Sequence, residues 1–423
     1  MKFSTSKDLA YQLDSEDQLA SFRDLFLFHD PSLIYLDGNS LGMLPKSAQA
    51  KAKEVVDEQW GKGLIRGWNK GWWEAPQRVG DKIGKLIGAD AGQVLVNDTI
   101  SLNLFKLATS ALMLQPNRKH IITDTFNFPS DLYILQGIKQ NLGNQHEILL
   151  VDAMDNDITP NIQKLEESID ENTALVTLSH VVFKSGYMYD MKRITELAHA
   201  KGALVLWDLS HSAGSVLVEL DECNVDLAIG CTYKYLNGGP GSQGFLYVNK
   251  KIQNKLSSPI WGWWGQKNPF DFNLEYEPAD GAQRFLVGTQ PMISLLTMEA
   301  ALEPTLQAGM GAIRQKSILM TDYAVYLTET VLAKYGFTLG SSKDSNQRGS
   351  HISIRHEDGY RINRALIEEM NVIPDFRAPD NIRLGFAPLY ISFAEIWEGF
   401  DRIKHVMEEK LYEKYPKQKL LVT

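Results

Sequence analysis

Ala203-Leu-Val-Leu-Trp-Asp208-Leu-Ser-His211 and Leu227-Ala-Ile-Gly-Cys-Thr-Tyr233-Lys234 are two short apolar runs that each deliver polar residues at the carboxyl end. Runs of this length, bounded by turn residues, read as strands buried on both faces. Just before the first, Met191, Ile194, Leu197 and Ala198 recur at helical spacing, and Gly202 stands where a helix would stop. Strand, helix and strand in succession make a βαβ unit, hence a largely parallel sheet with helices on its faces. Working outward, runs at 93–97, 120–124, 147–152, 174–180 and 245–249 extend the same pattern. Past about residue 295 it changes to long helical stretches at 310–335 and 393–410 around strand candidates at 351–355 and 382–386. The expectation is an α/β fold with a mostly parallel central sheet and a smaller α+β C-terminal domain. Its divisions are an N-terminal segment, 1–50, packing with the small domain, a large domain, 51–295, and the small domain, 296–423.

The chain has 423 residues, 44% hydrophobic and 22% charged, so it carries enough apolar surface for a sizeable core and lacks the signature of disorder. A formal charge of -9 argues against a nucleic-acid or anionic-membrane partner. Cys223 and Cys231 are too few and wrongly spaced for a disulfide framework or a C-x-x-C site, which suits a reducing cytoplasm. Acidic residues at Asp8, Asp14, Glu16 and Asp17 interrupt the N-terminus before any apolar run, so no targeting peptide is expected. No apolar stretch approaches the roughly 20 residues of a membrane span.

Ligands of parallel sheets bind at the carboxyl ends of the strands, and here Asp208 and Lys234 arrive there on neighbouring strands. An amine able to form a Schiff base and a carboxylate able to hold a pyridine nitrogen protonated are the two requirements of a pyridoxal-phosphate site. Either residue alone has a bland reading, the lysine on the surface and the aspartate in a turn or cap; together they point to the cofactor. Thr99-Ile-Ser101 precedes a helical pattern, and a helix starting at Ser101 would offer N–H groups to a phosphate, although a plain serine cap reads equally well. Asn127-Phe-Pro-Ser-Asp131 could set an aromatic face over a ring and a second acid near its nitrogen, or simply start a helix at Pro129. Gly239-Pro-Gly-Ser-Gln-Gly244 matches the dinucleotide fingerprint, but a strand rather than a helix follows it, so that reading is rejected. The histidines show no metal-ligand spacing, and no metal is expected.

Taken together, Tyr35-Leu-Asp-Gly-Asn-Ser-Leu-Gly42, Trp60-Gly-Lys-Gly-Leu-Ile-Arg-Gly-Trp68, Asn127–Asp131, Trp207–Gly214, Cys231–Gln243, Gly262-Trp-Trp-Gly265, Gly288-Thr-Gln-Pro291, Arg348-Gly-Ser-His351 and Pro388-Leu-Tyr390 resemble the kynureninase family, its bacterial branch in particular. The resemblance implies a fold-type I pyridoxal-phosphate enzyme of the class-V aminotransferase-like group that hydrolyses L-kynurenine, and 3-hydroxykynurenine more weakly, to anthranilate and L-alanine. It implies Lys234 as the Schiff-base lysine, Asp208 and Asp131 near the pyridine nitrogen, Phe128 stacked on the ring, and Tyr233 as a proton carrier. Ile100, Ser101, Ser179 and His211 fall on cofactor-pocket positions; Trp263 and Thr289 fall on phosphate-side positions that the family supplies from a neighbouring subunit, which implies a homodimer. Arg383 matches the arginine for the substrate carboxylate, with Asn39, Ser40 and Trp68 on the substrate side. Trp68 in place of a histidine implies a preference for the unsubstituted aryl ring, against the plain alternative of a core residue beside Trp72 and Trp73.

Two departures from the family pattern are Gln266, where histidine is common, and Val182-Phe183, in place of Asn-Tyr. The rival enzymatic reading, a cysteine desulfurase or aminotransferase, meets the difficulty that a desulfurase needs a nucleophilic cysteine after the lysine, whereas both cysteines precede Lys234. A scaffold without catalysis would have no reason to hold Lys234, Asp208 and Arg383 together. Of the other lysines near motifs, Lys106 and Lys184 are expected to tolerate replacement.

Overall fold

In the computed structural model, which describes residues 3–155 and 157–417, all seven runs of the first lobe pair in one sheet. Its order is Val94–Val96, Phe245–Val248, Leu227–Gly230, Leu204–Asp208, Thr173–Ser179, His120–Asp124 and Glu147–Val151. Pairing is parallel except at Phe245–Val248, which runs antiparallel to both neighbours. The pleat sends alternate residues to opposite faces. Leu204 and Leu206 accordingly enter one buried cluster, while Val205 and Trp207 enter another on the far side. Because both faces are covered by helices, these strands read as continuous apolar runs rather than alternating ones.

One expected strand is shorter than its apolar run for a reason that matters. The run at 227–232 stops at Gly230, since the chain then turns: Gly238 N–H donates to Thr232 O at 2.8 Å and Asn237 N–H to Lys234 O at 2.9 Å. The turn places Lys234 beyond the strand, at the wall of a cavity. The helix expected at 310–335 is α-helical over Met310–Leu327 and continues to Tyr335 in wider and then tighter turns.

The second lobe is a four-stranded antiparallel sheet in the order Thr338–Leu339, His351–Arg355, Asn381–Gly385 and Asp375–Arg377. Its two edge strands were absent from the sequence reading, because two or three residues carry no period. Residues of the N-terminal segment, among them Ala10, Leu13 and Leu36, share a buried cluster with Ile352, Ile382 and Ile396 of this lobe. Polar ties reinforce the contact. Asp14 accepts hydrogen bonds from Phe393 and Ala394 N–H at the start of the Phe393–Glu408 helix, where a carboxylate satisfies orphan donors and suits the helix dipole. Gly385 N–H donates to Leu36 O at 2.7 Å, and Gly42 N–H donates to Tyr233 O at 2.8 Å, so the segment 36–42 runs from the small lobe to the lysine turn. The terminal residues 1, 2 and 418–423 of the expected segments lie outside the described residues.

No helix among the described residues is long and apolar enough to cross a membrane. Lys106 overturns an expectation: its side chain is fully buried, donating to Asp98 Oδ2 at 2.7 Å and to Phe285 O at 2.8 Å. Asp98 itself sits at φ 46° immediately before the helix that begins at Ile100. Removing one partner of a buried ion pair leaves the other uncompensated, at a cost of about 3–5 kcal/mol. Lys106→Met is therefore expected to lower unfolding free energy by about that amount in urea titration. Adding Asp98→Asn should restore part of it, since asparagine tolerates the left-handed conformation; an unchanged midpoint for Lys106→Met would contradict the buried pair.

Candidate active site

Three adjacent parallel strands end in Asp124, Ser179 and Asp208, and the chain after each turns toward a cavity that Lys234 enters from the next connection. Asp131 reaches the same cavity from the first turn of the helix Pro129–Asn141, with proline at a position where its missing N–H is harmless. The loop before it is fastened to the sheet. Asp124 Oδ1 accepts from Phe126 and Asn127 N–H at 3.0 Å each, and Asn127 accepts from Ser179 N–H at 2.6 Å while donating to Thr177 O at 3.1 Å. Phe128, which lines the cavity, meets Phe183 edge-on at 5.3 Å between ring centroids.

Lys234, Asp208, Asp131 and His211 are all buried or nearly so. Lys234 Nζ lies 3.2 Å from His211 Nε2. Burial depresses the lysine, and burial together with the charge of Lys234 holds the histidine well below its usual range, so His211 is a neutral neighbour at physiological pH. Asp131 is pushed well up by burial and by the Asp208 charge. Burial also raises Asp208, opposed by hydrogen bonds from Ser210 N–H at 2.8 Å and from its hydroxyl. Two acids thus face a single nearby ammonium. A protonated pyridine nitrogen between them would supply the missing positive charge, which is the electrostatic test that pyridoxal phosphate passes here.

A helix start forms another part of the cavity wall. The helix Ile100–Leu114 begins one residue before the expected Ser101, capped by Thr99, whose hydroxyl accepts from Leu102 N–H at 3.3 Å. The cap leaves the Ser101 hydroxyl and the first N–H groups of the turn for the cavity they line. Opposite stand Gly241, Ser242 and Gly244, part of the run rejected as a dinucleotide fingerprint. No helix follows it; Phe245 starts an antiparallel strand. A side chain at Gly244 would come within 3.2 Å of Ile100 N, so glycine keeps that side of the helix start open.

The rest of the cavity wall includes residues of the small lobe and the N-terminal segment. Arg383 is buried, donating to Phe183 O at 2.7 Å, to Ser40 Oγ at 2.8 Å and to Asp375. Asn39 is fully buried, and neither its Oδ1 nor its Nδ2 has a partner among the described residues. An unpaired buried amide is costly, and this one stands on the cavity wall. Tyr233 lines the wall too, its hydroxyl kept protonated by burial.

Three expected residues are not brought to this cavity by the chain itself. Trp68 packs into an aromatic cluster with Trp72, Trp73, Trp263 and Trp264, 5.3 Å from the last between centroids, the core-like alternative rather than a ligand contact. Trp263 belongs to the same cluster and is 40% exposed; Thr289 is exposed as well. Sequence reasoning missed Arg377, Ser130, Ser210 and the carbonyl of Phe183. Arg377 carried no signal, because its strand is three residues long.

Solved structures share this architecture. A cysteine desulfurase from Thermococcus onnurineus superposes with a TM-score of 0.75 at 18% identity, covering 90% of this chain and 94% of that one. A mutant of the lyase C-DES, with glycine covalently linked to its PLP cofactor, gives 0.76 at 19% identity, over 88% and 97%. Residues 77–228 match the DegT/DnrJ/EryC1/StrS aminotransferase family. The fold is that of the fold-type I pyridoxal-phosphate enzymes.

Sequence comparison narrows the class. Residues 313–403 match the kynureninase C-terminal domain. A kynureninase from Pseudomonas fluorescens is 43% identical over 96% of this chain and 97% of its own length, and one from Burkholderia pseudomallei is 42% identical over the same shares. The chain belongs to the kynureninase family, pyridoxal-phosphate hydrolases that act on carbon–carbon bonds.

Asp124, which anchors the Asn127–Asp131 loop, is held at about 6 by burial, against the lowering effect of the Tyr189 hydroxyl and two N–H groups. Its folded pKa lies above the unfolded value, so its contribution is most favourable below about pH 4 and is lost as pH rises through about 6. Relative to Asp124→Asn, the wild type should lose about 3 kcal/mol of stability over that interval, read as the difference between urea curves at equal cofactor load. A difference that is flat with pH would refute an elevated Asp124.

Proposed function

We propose that the chain hydrolyses L-kynurenine to anthranilate and L-alanine, with Lys234, Asp208 and Arg383 at one cavity. The observation that carries this is their convergence there in a member of the kynureninase family. Pyridoxal phosphate, when bound, supplies an electron-accepting ring for the charge left at the substrate Cα. Lys234 is the amine that would hold it and then, as the neutral amine that burial favours, the base for the Cα proton. Asp208, with Asp131 beside it, keeps a proton on the pyridine nitrogen. Phe128 would stack on the ring, the helix start at Ile100 and Ser101 would hold the phosphate, and Ser179 and His211 would complete the cofactor pocket that they line.

Arg383 receives the α-carboxylate, with Ser40 fixing its orientation and Asn39 offering its free amide. Cleavage of an aryl ketone requires water at the carbonyl carbon and a proton for the departing β-carbon. Tyr233, protonated and at the cavity, is placed to deliver that proton.

Two further readings accompany this one. The exposed aromatic surface around Trp263, including Trp261, Phe270 and Phe272, is the seat of a second copy that would bring Trp263, Thr289 and the neighbouring Trp68 to its partner's cavity. A preference for the unsubstituted aryl ring follows only in that assembly. Two free cysteines and the absence of a long apolar helix among the described residues accord with a cytoplasmic enzyme. Desulfurase chemistry is disfavoured: burial pushes the Cys223 thiol up to about 11 and raises fully buried Cys231, so neither offers a thiolate.

Incubation with L-kynurenine should yield equimolar anthranilate and alanine, and Lys234→Ala should abolish both the turnover and the borohydride-sensitive absorbance of lysine-bound cofactor. Retained turnover in Lys234→Ala would overturn the assignment. Arg383→Ala should lower kcat/KM about 10- to 150-fold, the worth of a charge-assisted hydrogen-bonded contact; unchanged kinetics would place carboxylate recognition elsewhere.

A further inference from the structure

The cavity is bordered by two guanidinium groups, not one. Asp375–Arg377 is the edge strand beside Asn381–Gly385, in a register that sets Asp375 opposite Arg383 and Arg377 opposite Asn381. Residues two apart on a strand share a face, so Asp375 and Arg377 both lie on the side of Arg383. Asp375 Oδ2 is the hub: Arg377 approaches it at 2.9 Å, Arg383 contacts it, and Ser40 Oγ lies at 3.2 Å. Arg377 and Arg383 both line the cavity that holds Lys234, and the Arg377 side chain is 36% exposed where that of Arg383 is 2%.

Charge counting shows why the second guanidinium matters. Arg383 is already matched by Asp375, in a place that excludes water. A ligand carboxylate arriving at Arg383 alone would put two anionic groups on one cation, an uncompensated buried charge. Arg377 provides the balancing charge. Its Nε has no hydrogen-bond partner among the described residues, nor has that of Arg383, so each fork keeps a donor in reserve. The fourth ionisable group here, Asp37, is pushed up to about 6 by burial and by Asp375, against the pull of the two arginines. Below about pH 6 protonation of Asp37 leaves these four groups with one net positive charge, and above it Asp37 ionises and they are balanced.

We propose that Arg377 is a second carboxylate-binding residue, receiving the substrate α-carboxylate jointly with Arg383, and that Asp375 is the positioning residue that holds the two guanidinium groups together. This rests on the reading of the cavity as an amino-acid site, and it adds a determinant that the family resemblance did not assign.

The test uses the cofactor-loaded enzyme and compares L-alanine with L-alaninamide, which differ only at the carboxylate, by titration calorimetry. Arg377→Gln should weaken L-alanine binding about 10- to 100-fold and change L-alaninamide less than about 2-fold. It should raise KM for kynurenine more than it lowers kcat. Equal weakening of both ligands would mark Arg377 as merely structural, and undiminished L-alanine binding would remove it from the site; either overturns the proposal.

A second measurement needs no variant. Arg377 is exposed enough to react with phenylglyoxal, and L-alanine but not L-alaninamide should slow its modification as followed by peptide mass spectrometry; equal protection, or none, overturns the proposal. Discrimination between the two ligands through Arg377, in an enzyme that leaves kynurenine intact, would sink the functional reading while sustaining this one.

Discussion

Burying Lys234 beside Asp208 and Asp131 is the constraint on which the rest of the site depends. Charged groups withdrawn from water are costly unless paired and hydrogen-bonded, and here two acids compete for one ammonium. The surrounding fold offsets this with a rigid frame: Ser210 donates twice to Asp208, and the loop carrying Asp131 is laced to the sheet through Asn127 and Asp124. A site held at such cost is preorganised for a positively charged partner, which a pyridinium ring provides.

The same logic operates across the lobes. The small lobe and the N-terminal segment meet in one apolar core, and that core brings Arg383, Arg377, Ser40 and Asn39 to the wall of the cavity that Lys234 lines. Gly385 is required there: a side chain at that position would lie 1.8 Å from Asn39 Oδ1. Gly42 packs against the lysine turn with as little room, since a side chain there would lie 2.3 Å from Lys234 O. Close backbone approach at these two points lets one segment carry substrate-side groups from the small lobe to the cofactor side.

The aromatic cluster stands apart from this machinery. Trp68, Trp73, Trp263 and Trp264 satisfy one another through ring contacts between 5.2 and 6.3 Å, yet the cluster opens to solvent at Trp263 and Phe270. Contiguous apolar surface of this kind is uncommon on a monomer. The departure at Gln266 lies beside it, with the amide donating to Glu275 O and accepting from Glu277 N–H, so it closes a surface hairpin rather than entering the cavity. Phe183, the other departure, enters the cavity through its ring and its carbonyl.

The sequence alone determined the sheet, because strands buried on both faces must be apolar throughout and end in turns, and that pattern survives without any contact information. It also singled out Lys234 and Asp208, since Asp208 closes one such strand and Lys234 lies just past the end of its neighbour. Thr99 as the cap, the place of Lys106 in a buried pair and the adjacency of Arg377 to Arg383 were decided only by tertiary structure. Capping depends on which hydroxyl the turn geometry favours. Burial depends on what packs over a side chain, here Phe285, far away in the chain. Register between two short antiparallel strands depends on a ladder that leaves no period in three residues. Local pattern carries information about local backbone, whereas the sharing of one carboxylate by two distant cations exists only once the chain has closed on itself.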